Sequence, residues 1–219
     1  MTSESTKYNS FTLHYFTARA RGEPVRYMFV YSKTPYEDKR YTMEEWPKVK
    51  PNMPLGQLPV LEYKYGNETV FLTQSRAIYE HVARITGLAG STLEEMARAQ
   101  EACEVLMEIM EHGAKIVFAK TEEQKKELMD KMMNELGPRN FGFLEKQIQK
   151  NGGKNIAGGE GYTYADMFLA QFVEGMLRKP AIPMSELGKT LPGVMALSKT
   201  INETPEIKAY LKTQPESQY

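Results

Sequence analysis

The pattern of apolar residues changes near residue 86, and this change constrains the fold of the 219-residue chain more than any other feature. Before it, short apolar runs typical of strands, such as Phe11–Tyr15, alternate with helical stretches. After a glycine-containing linker at 86–92, apolar residues recur only at three- and four-residue steps, the spacing of one helix face. The sequence therefore predicts an α/β domain over residues 9–85 and an all-helical domain over residues 91–219.

The first half is predicted to run βαβ, then an irregular segment, then ββα, an order that gives a mixed sheet. Strands are expected at 11–15, 35–41, 59–63 and 69–72, and helices at 22–32 and 75–86. Three prolines leave room for only a short or irregular helix between residues 43 and 54.

Helix starts and breaks can also be predicted in the second half. Ser91 with Glu94, and Thr92 with Glu95, both match a capping box, so a helix should begin here. The Gly137-Pro138 pair is expected to break the helix of residues 122–136.

Composition excludes several functional classes. Lys and Arg number 28, as do Asp and Glu, so the chain lacks the positive charge of a nucleic-acid binder. The single Cys103 allows no internal disulfide or CxxC pair, and the three histidines lack metal-ligand spacing, so no metal is expected. Cys103 itself is predicted to be a buried core residue. A polar N-terminus and the lack of any apolar run of about 18 residues predict a cytoplasmic protein without a membrane span.

Two clusters in the first half have side chains suited to anions. Tyr15 lies just past the first strand with Arg19 and Arg21, where open α/β sheets bind ligands, although a surface tyrosine beside solvated arginines is the commoner case for such a cluster taken alone. Trp46 stands near Lys50, and the indole N–H and the ammonium could bind a carboxylate. The alternative is that the indole packs on the neighbouring domain.

Two further clusters offer backbone groups. Pro59 follows a glycine-containing turn and is a candidate for a cis peptide bond that exposes the backbone of Leu58, although a trans turn is commoner. Gln74 and Ser75 open a helix whose free N–H groups suit a carboxylate, unless Ser75 is simply the N-cap. Together the four clusters suit an extended peptide with a carboxylate at each end. Glutathione is such a molecule, and Tyr15 would lie near its sulfur.

The chain resembles the cytosolic glutathione transferases of the sigma class, which include the glutathione-dependent prostaglandin D synthases. The resemblance covers nearly the whole chain and rests on runs in the family's order: Leu13-His-Tyr-Phe-Thr-Ala-Arg-Ala-Arg-Gly-Glu-Pro-Val-Arg26, Tyr36-Glu-Asp38, Glu45-Trp-Pro-Lys-Val-Lys-Pro51, Gly56-Gln-Leu-Pro-Val-Leu-Glu62, Leu72-Thr-Gln-Ser-Arg-Ala-Ile78 and Tyr162-Thr-Tyr-Ala-Asp166. The last run resembles the family's buried capping box. The resemblance implies a thioredoxin-like N-terminal domain, a C-terminal helical bundle and a homodimer.

The resemblance also implies residue roles. Tyr15 would be the catalytic tyrosine, and Arg21 would support its electrostatics. The implied glutathione-binding residues are Tyr15, Trp46, Lys50, Gln57, Leu58, Pro59 (in a cis peptide), Gln74 and Ser75. Gln100 stands where the family usually places an acidic residue that reaches the partner subunit's glutathione. The implied electrophile pocket consists of Phe16, Ala18, Ala20, Met107, Phe168 and Phe172, with Ala20 in place of the family's usual glycine.

The implied activity is conjugation of glutathione to hydrophobic electrophiles, with prostaglandin H2 to D2 isomerisation as a special case. A non-catalytic protein on the same fold, a crystallin-like or ligand-carrying protein, is the alternative. Lens relatives tend to carry an insertion in the helical half and altered active-site residues. Because Tyr15 and Arg21 are present and no insertion is evident, the sequence favours the enzyme.

Overall fold

The computed structural model of the protein describes residues 8–178 and 188–214, which form two compact units. The second unit spans Ala89–Thr204. The first unit runs to Leu88 and also includes the last helix, whose Ile207 is fully buried. The sequence pattern assigns that helix to the all-helical domain. A helical pattern identifies an apolar face but does not show which unit that face packs against.

The first unit contains a four-stranded mixed sheet, as predicted. The strands lie in the order β2-β1-β3-β4; β1 and β2 are parallel, and the other pairs are antiparallel. The elements of this unit are β1 (Tyr8–Phe16), α1 (Glu23–Tyr31), β2 (Glu37–Tyr41), α2 (Trp46–Val49), β3 (Val60–Tyr65), β4 (Glu68–Thr73), α3 (Ser75–Thr86) and the last helix, α9 (Pro205–Thr213). Short 3-10 turns cover Ala20–Gly22 and Lys50–Asn52.

Strand β1 presents its two faces differently because side chains alternate along a strand. Leu13 and Tyr15 share one face and are buried. His14 lies on the opposite face, where its ring bonds the hydroxyl of Tyr41 at 2.7 Å and a carboxylate oxygen of Glu62 at 2.9 Å. The strand is therefore fixed on both faces up to the point where the candidate site begins.

The second unit is all-helical. Its elements are α4 (Leu93–Val117), α5 (Glu122–Lys131), a π-helical turn (Met132–Leu136), α6 (Gly137–Lys150), α7 (Tyr164–Arg178), a 3-10 turn (Gly188–Thr190) and α8 (Pro192–Asn202). The start of α4 is the predicted cap: the Thr92 hydroxyl accepts the Glu95 N–H at 3.1 Å. The Glu95 carboxylate accepts from the Ser91 N–H at 2.7 Å, one residue before the position that a standard capping box uses.

The predicted break at Gly137-Pro138 is wrong. The helix continues from α5 through the π-helical turn Met132–Leu136 into α6. Proline lacks an N–H, and its ring crowds the carbonyl of the preceding turn. A wider turn just before Pro138 removes that conflict without ending the helix.

Two buried carboxylates stabilise the helical unit. Asp166 accepts from the Ile156 N–H at 2.9 Å, from the Thr163 N–H at 2.7 Å and from the Thr163 hydroxyl at 2.9 Å. This is the capping interaction that the resemblance implies. Burial raises the pKa of Asp166 to about 6, although its hydrogen bonds to Thr163 and Ile156 favour the charged form. Glu145 accepts the N–H groups of Gly193 and Val194, both at 2.8 Å, and so caps α8.

Glu145→Ala should lower the free energy of unfolding by about 2 kcal/mol, because two N–H groups at the start of α8 lose their acceptor. Urea denaturation followed by circular dichroism measures the change. The exposed Glu127→Ala is the matched control and should change stability by less than about 0.5 kcal/mol. Equal stability of the two variants would contradict this role for Glu145.

Within residues 8–178 and 188–214, no helix combines the length and the apolar character needed to cross a bilayer.

Candidate functional site

A cleft of about 450 Å³ lies in the first unit. Its volume is typical of sites for small molecules. The cleft is lined by Phe16, Arg21, Trp46, Leu55, Gly56, Gln57, Leu58, Pro59, Thr73, Gln74 and Ser75. The structure therefore brings together most of the residues that the resemblance implies for glutathione, from segments far apart in sequence.

One wall of the cleft is the segment that leads into β3. The Leu58–Pro59 peptide bond is cis, as predicted. Gly56 has a φ of +57°, which glycine adopts at no steric cost. A Cβ at this position would lie 3.4 Å from the Cε of Lys50, so the Lys50 side chain runs beside the cleft wall although it does not line the cavity.

The N-terminus of α3 forms another wall. Its N-cap is Gln74, not Ser75, and the Gln74 side chain makes no capping hydrogen bond. The first-turn N–H groups therefore lack a side-chain cap, and a helix N-terminus favours an anion. Gln74 has a φ of +70°, a conformation rare outside glycine and often found at functional sites. Ser75 is buried, with 6% of its surface exposed.

Tyr15 does not itself line the cleft, but its neighbour Phe16 and its hydrogen-bond partner Arg21 do. Tyr15 is 6% exposed, and its hydroxyl accepts the backbone N–H of Arg21 at 3.2 Å. Burial raises the pKa of Tyr15, while the Arg21 N–H and the charges of Arg21 and Arg26 act in the opposite direction. The phenol is therefore protonated at neutral pH. Because this oxygen is an acceptor towards Arg21, its own proton can be donated to a ligand.

The turn after β1 fixes the position of this phenol. Tyr79 of α3 donates its hydroxyl to the Arg21 carbonyl at 2.7 Å. Gly22 packs so closely on the ring that an added Cβ would lie 2.4 Å from Cδ1 of Tyr15. Ala20 has a φ of +29°, a conformation that favours glycine, which the resemblance places at this position.

The remaining predicted residues lie apart from the cleft lining. Ala18 and Ala20 lie in the first unit, whereas the others belong to the helices of the second. Gln100 is exposed on α4, while Met107 and Phe168 are fully buried. Their roles at a partner's glutathione and in an electrophile pocket stay predictions.

Three cleft residues, Leu55, Gly56 and Thr73, were not among the predicted site residues. Thr73 ends β4, and the rule that ligands bind at strand ends could have indicated it. Leu55 follows a proline in an irregular segment and carries no pattern that marks it.

Cys103 is 2% exposed, as predicted for a core cysteine, so it is poorly placed to act as a nucleophile. Among the described residues, no three His, Cys, Asp or Glu side chains are grouped so that they could hold a metal ion.

Comparison with known proteins identifies the family. Residues 11–84 match the family model for the glutathione S-transferase N-terminal domain, and residues 107–214 match the model for the C-terminal domain. Glutathione S-transferase S1 of Drosophila melanogaster is 30% identical over 207 residues, which cover 94% of this chain and 80% of that protein. S-crystallin SL11 of Nototodarus sloanii is 30% identical over 205 residues, covering 93% of this chain and 96% of that protein.

A solved structure has the same fold. The prostaglandin synthase D of Nilaparvata lugens superposes with a TM-score of 0.82 at 29% identity, covering 95% of this chain and all of that one. The mixed N-terminal sheet and the helical C-terminal unit match this architecture. The chain therefore belongs to the glutathione S-transferase family, which uses glutathione as co-substrate.

Proposed function

We propose that the protein conjugates the thiolate of glutathione to hydrophobic electrophiles and that the Tyr15 hydroxyl stabilises this thiolate. One observation carries the proposal: the N–H of Arg21, a residue that lines the cleft, holds the oxygen of the Tyr15 hydroxyl and leaves its proton available for a ligand. A neutral phenol donates a hydrogen bond to sulfur, and this bond favours the charged form of the thiol.

The energies are sufficient for this role. A free thiol has a pKa of about 8.5, so about 3% is ionised at pH 7. Lowering that pKa to about 6.5 requires about 2.7 kcal/mol and raises the ionised fraction to about 75%. One charge-assisted hydrogen bond contributes about 1.5–3 kcal/mol. The Tyr15 hydroxyl, helped by the charge of Arg21, can therefore supply the stabilisation without a covalent intermediate on the enzyme.

The cleft suggests how the tripeptide lies. One carboxylate binds at the N-terminus of α3, at Gln74 and Ser75, where uncapped N–H groups favour negative charge. The backbone of Leu58 pairs with the extended chain. The second carboxylate lies near Trp46 and Lys50, because an indole N–H and an ammonium group can each bind a carboxylate. Gln57 and Pro59 complete the binding surface.

The proposal also covers the enzyme class, the cellular location, the subunit arrangement and the electrophile pocket. The motif order supports a sigma-class enzyme acting in the cytoplasm, in detoxification or prostaglandin metabolism. A homodimer would bring Gln100 of one subunit to the glutathione of the other, and Phe16, Ala18, Ala20, Met107, Phe168 and Phe172 would form the electrophile pocket. The likeness to a prostaglandin synthase D supports testing isomerisation of prostaglandin H2.

The competing function is a non-catalytic structural or carrier role, which the similarity to S-crystallin SL11 supports. Retention on immobilised glutathione, followed by assays with a chlorinated aromatic electrophile and with prostaglandin H2, separates the two functions. Conjugation above the uncatalysed rate supports the enzyme. Retention without turnover of any electrophile would favour the structural role, and failure to bind glutathione would contradict the assigned cleft.

Gly22→Ala should reduce kcat severalfold while leaving KM for glutathione nearly unchanged. The added Cβ would approach the Tyr15 ring to 2.4 Å, so the phenol must move away from its bond to Arg21. Steady-state kinetics measure the effect. Gly142→Ala, where nothing lies within 4 Å of the added Cβ, is the control. Equal kcat in the two variants would show that the exact ring position does not matter.

A further inference from the structure

Arg26 of α1 is a fully buried arginine with several partners. Its guanidinium donates to the carbonyls of Phe16 at 3.1 Å and Ala18 at 2.9 Å. The same group bonds the carboxylates of Glu23 at 3.0 Å and Asp38 at 3.1 Å. A charge withdrawn from water needs such partners, and losing one leaves the others uncompensated.

The two carbonyls that Arg26 binds lie next to the predicted catalytic group. Phe16 directly follows Tyr15, and Ala18 lies between Tyr15 and Arg21, whose N–H holds the phenol oxygen. Arg26 therefore fixes the backbone between Tyr15 and the turn whose Arg21 N–H positions this hydroxyl. Its Cζ atom also lies 5.7 Å from the centroid of the Tyr15 ring.

The last helix, α9, extends this set of contacts. The Tyr210 hydroxyl donates to the second oxygen of Glu23 at 3.1 Å, and Glu23 is fully buried. Burial and the Glu23 charge raise the pKa of Tyr210, so this phenol remains a donor. A surface ion pair between Lys33 and Glu206, at 2.7 Å, joins the same helix to the turn that follows α1. Tyr210, Glu23 and Arg26 thus form one chain of contacts, here called the anchor chain.

We propose that Arg26 and Tyr210 are positioning residues for Tyr15, so that the anchor chain makes the C-terminal helix part of the glutathione-activating apparatus. This inference rests on the proposed role of Tyr15 in the thiolate chemistry. The Tyr210 hydroxyl orients Glu23, Glu23 orients the guanidinium, and the guanidinium holds the turn. None of the three lines the cleft. They act indirectly, because they set the distance between the Tyr15 hydroxyl oxygen and the sulfur of bound glutathione.

The test compares three variants with the intact protein. Tyr210→Phe removes one oxygen, Glu23→Gln removes the charge, and Arg26→Lys keeps the charge but loses the planar donors. Each should raise the pKa of the bound glutathione thiol and lower kcat, with KM for glutathione changed by less than about twofold. For Tyr210→Phe we expect a rise of about 0.5 in the thiol pKa, equal to about a threefold change in the ionisation constant. Arg26→Lys should give a larger rise.

Two control variants define the background. Lys208→Ala alters an exposed residue of the same helix, and Arg84→Lys repeats the arginine-to-lysine change at an exposed ion pair with Glu80. Both should leave the thiol pKa and kcat unchanged. These readouts separate positioning from stability, since a merely structural role would lower the melting temperature without moving the thiol pKa of the folded protein.

The outcomes are distinct. A raised thiol pKa in any variant that folds supports the inference. Folded variants that keep the thiol pKa and kcat of the intact protein overturn it, even if their melting temperatures fall. Should Arg26→Lys fail to fold, Tyr210→Phe and Glu23→Gln decide the question. If the intact protein itself does not lower the thiol pKa, the proposed function fails and the inference with it.

Discussion

Replacing Asp166 with alanine is expected to lower the free energy of unfolding by about 4 kcal/mol. The carboxylate accepts three hydrogen bonds from Ile156 and Thr163, and the residue is fully buried. Alanine removes the acceptor and leaves two backbone N–H groups and a hydroxyl without a partner where water has no access. A loss of this size would unfold many domains of ordinary stability.

Urea denaturation at pH 7, followed by circular dichroism, measures this effect. Asp130→Ala, at an exposed position of α5, is the control and should change stability by less than about 0.5 kcal/mol. A loss below about 1 kcal/mol for Asp166→Ala would show that the N–H groups of Ile156 and Thr163 and the Thr163 hydroxyl find other hydrogen-bond acceptors.

The same carboxyl predicts a pH dependence. The pKa of Asp166 is raised by burial from 3.8 to about 6 in the folded state. Between these values the folded state holds more protons than the unfolded state, so the free energy of unfolding decreases as pH rises. The whole decrease from this group amounts to about 3 kcal/mol, of which about 2 kcal/mol falls between pH 4 and 6, and it is complete about one pH unit above that range. Asp166→Asn should lack this part of the slope, and identical slopes would contradict it.

Tyr15→Phe is expected to have the largest effect on catalysis. Without the hydroxyl, the thiolate fraction of bound glutathione at pH 7 should fall from about 75% to about 3%. A thiolate of higher pKa is intrinsically more nucleophilic, which regains about six- to tenfold of this loss, so kcat should fall about threefold at pH 7 and about tenfold at pH 6. Glutathione affinity should change little because the carboxylate and backbone contacts remain.

Steady-state kinetics against pH measure this effect. The deficit should be largest below about pH 6.5, should decrease through neutral pH and should vanish above about pH 9, where glutathione ionises without help. Tyr65→Phe, on the far end of β3, is the matched control. A rate deficit of Tyr15→Phe that is independent of pH would mean that the phenol acts on the electrophile or on folding instead.

Local signals in the sequence predicted much of the fold. Thr92 and Glu95 mark the start of α4, and the bounds Ser75–Thr86 of α3 agree with the predicted 75–86. The π-helical turn before Pro138 was not predicted. Whether a proline ends a helix or is accommodated by a wider turn depends on the packing around the proline, which the local sequence does not show. The placement of α9 in the first unit was missed for a similar reason, since partners of an apolar face are not encoded locally.

The candidate site depended more on the resemblance than on local pattern. Trp46, Leu58 and Ser75 each had an ordinary structural explanation, and only their convergence in one cleft makes a site. The sequence pattern alone predicts no role for Arg26, because an arginine on a short helix is usually solvated. Its complete burial and its bonds to the carbonyls after β1 are tertiary features.

The central claim is most directly tested by titrating the ultraviolet absorbance of the thiolate of glutathione bound to the intact protein and to Tyr15→Phe. The intact protein should bind a thiol with a pKa of about 6.5, and the variant should bind one near the free value of about 8.5. A variant that binds glutathione and keeps the lowered thiol pKa would contradict the role assigned to Tyr15.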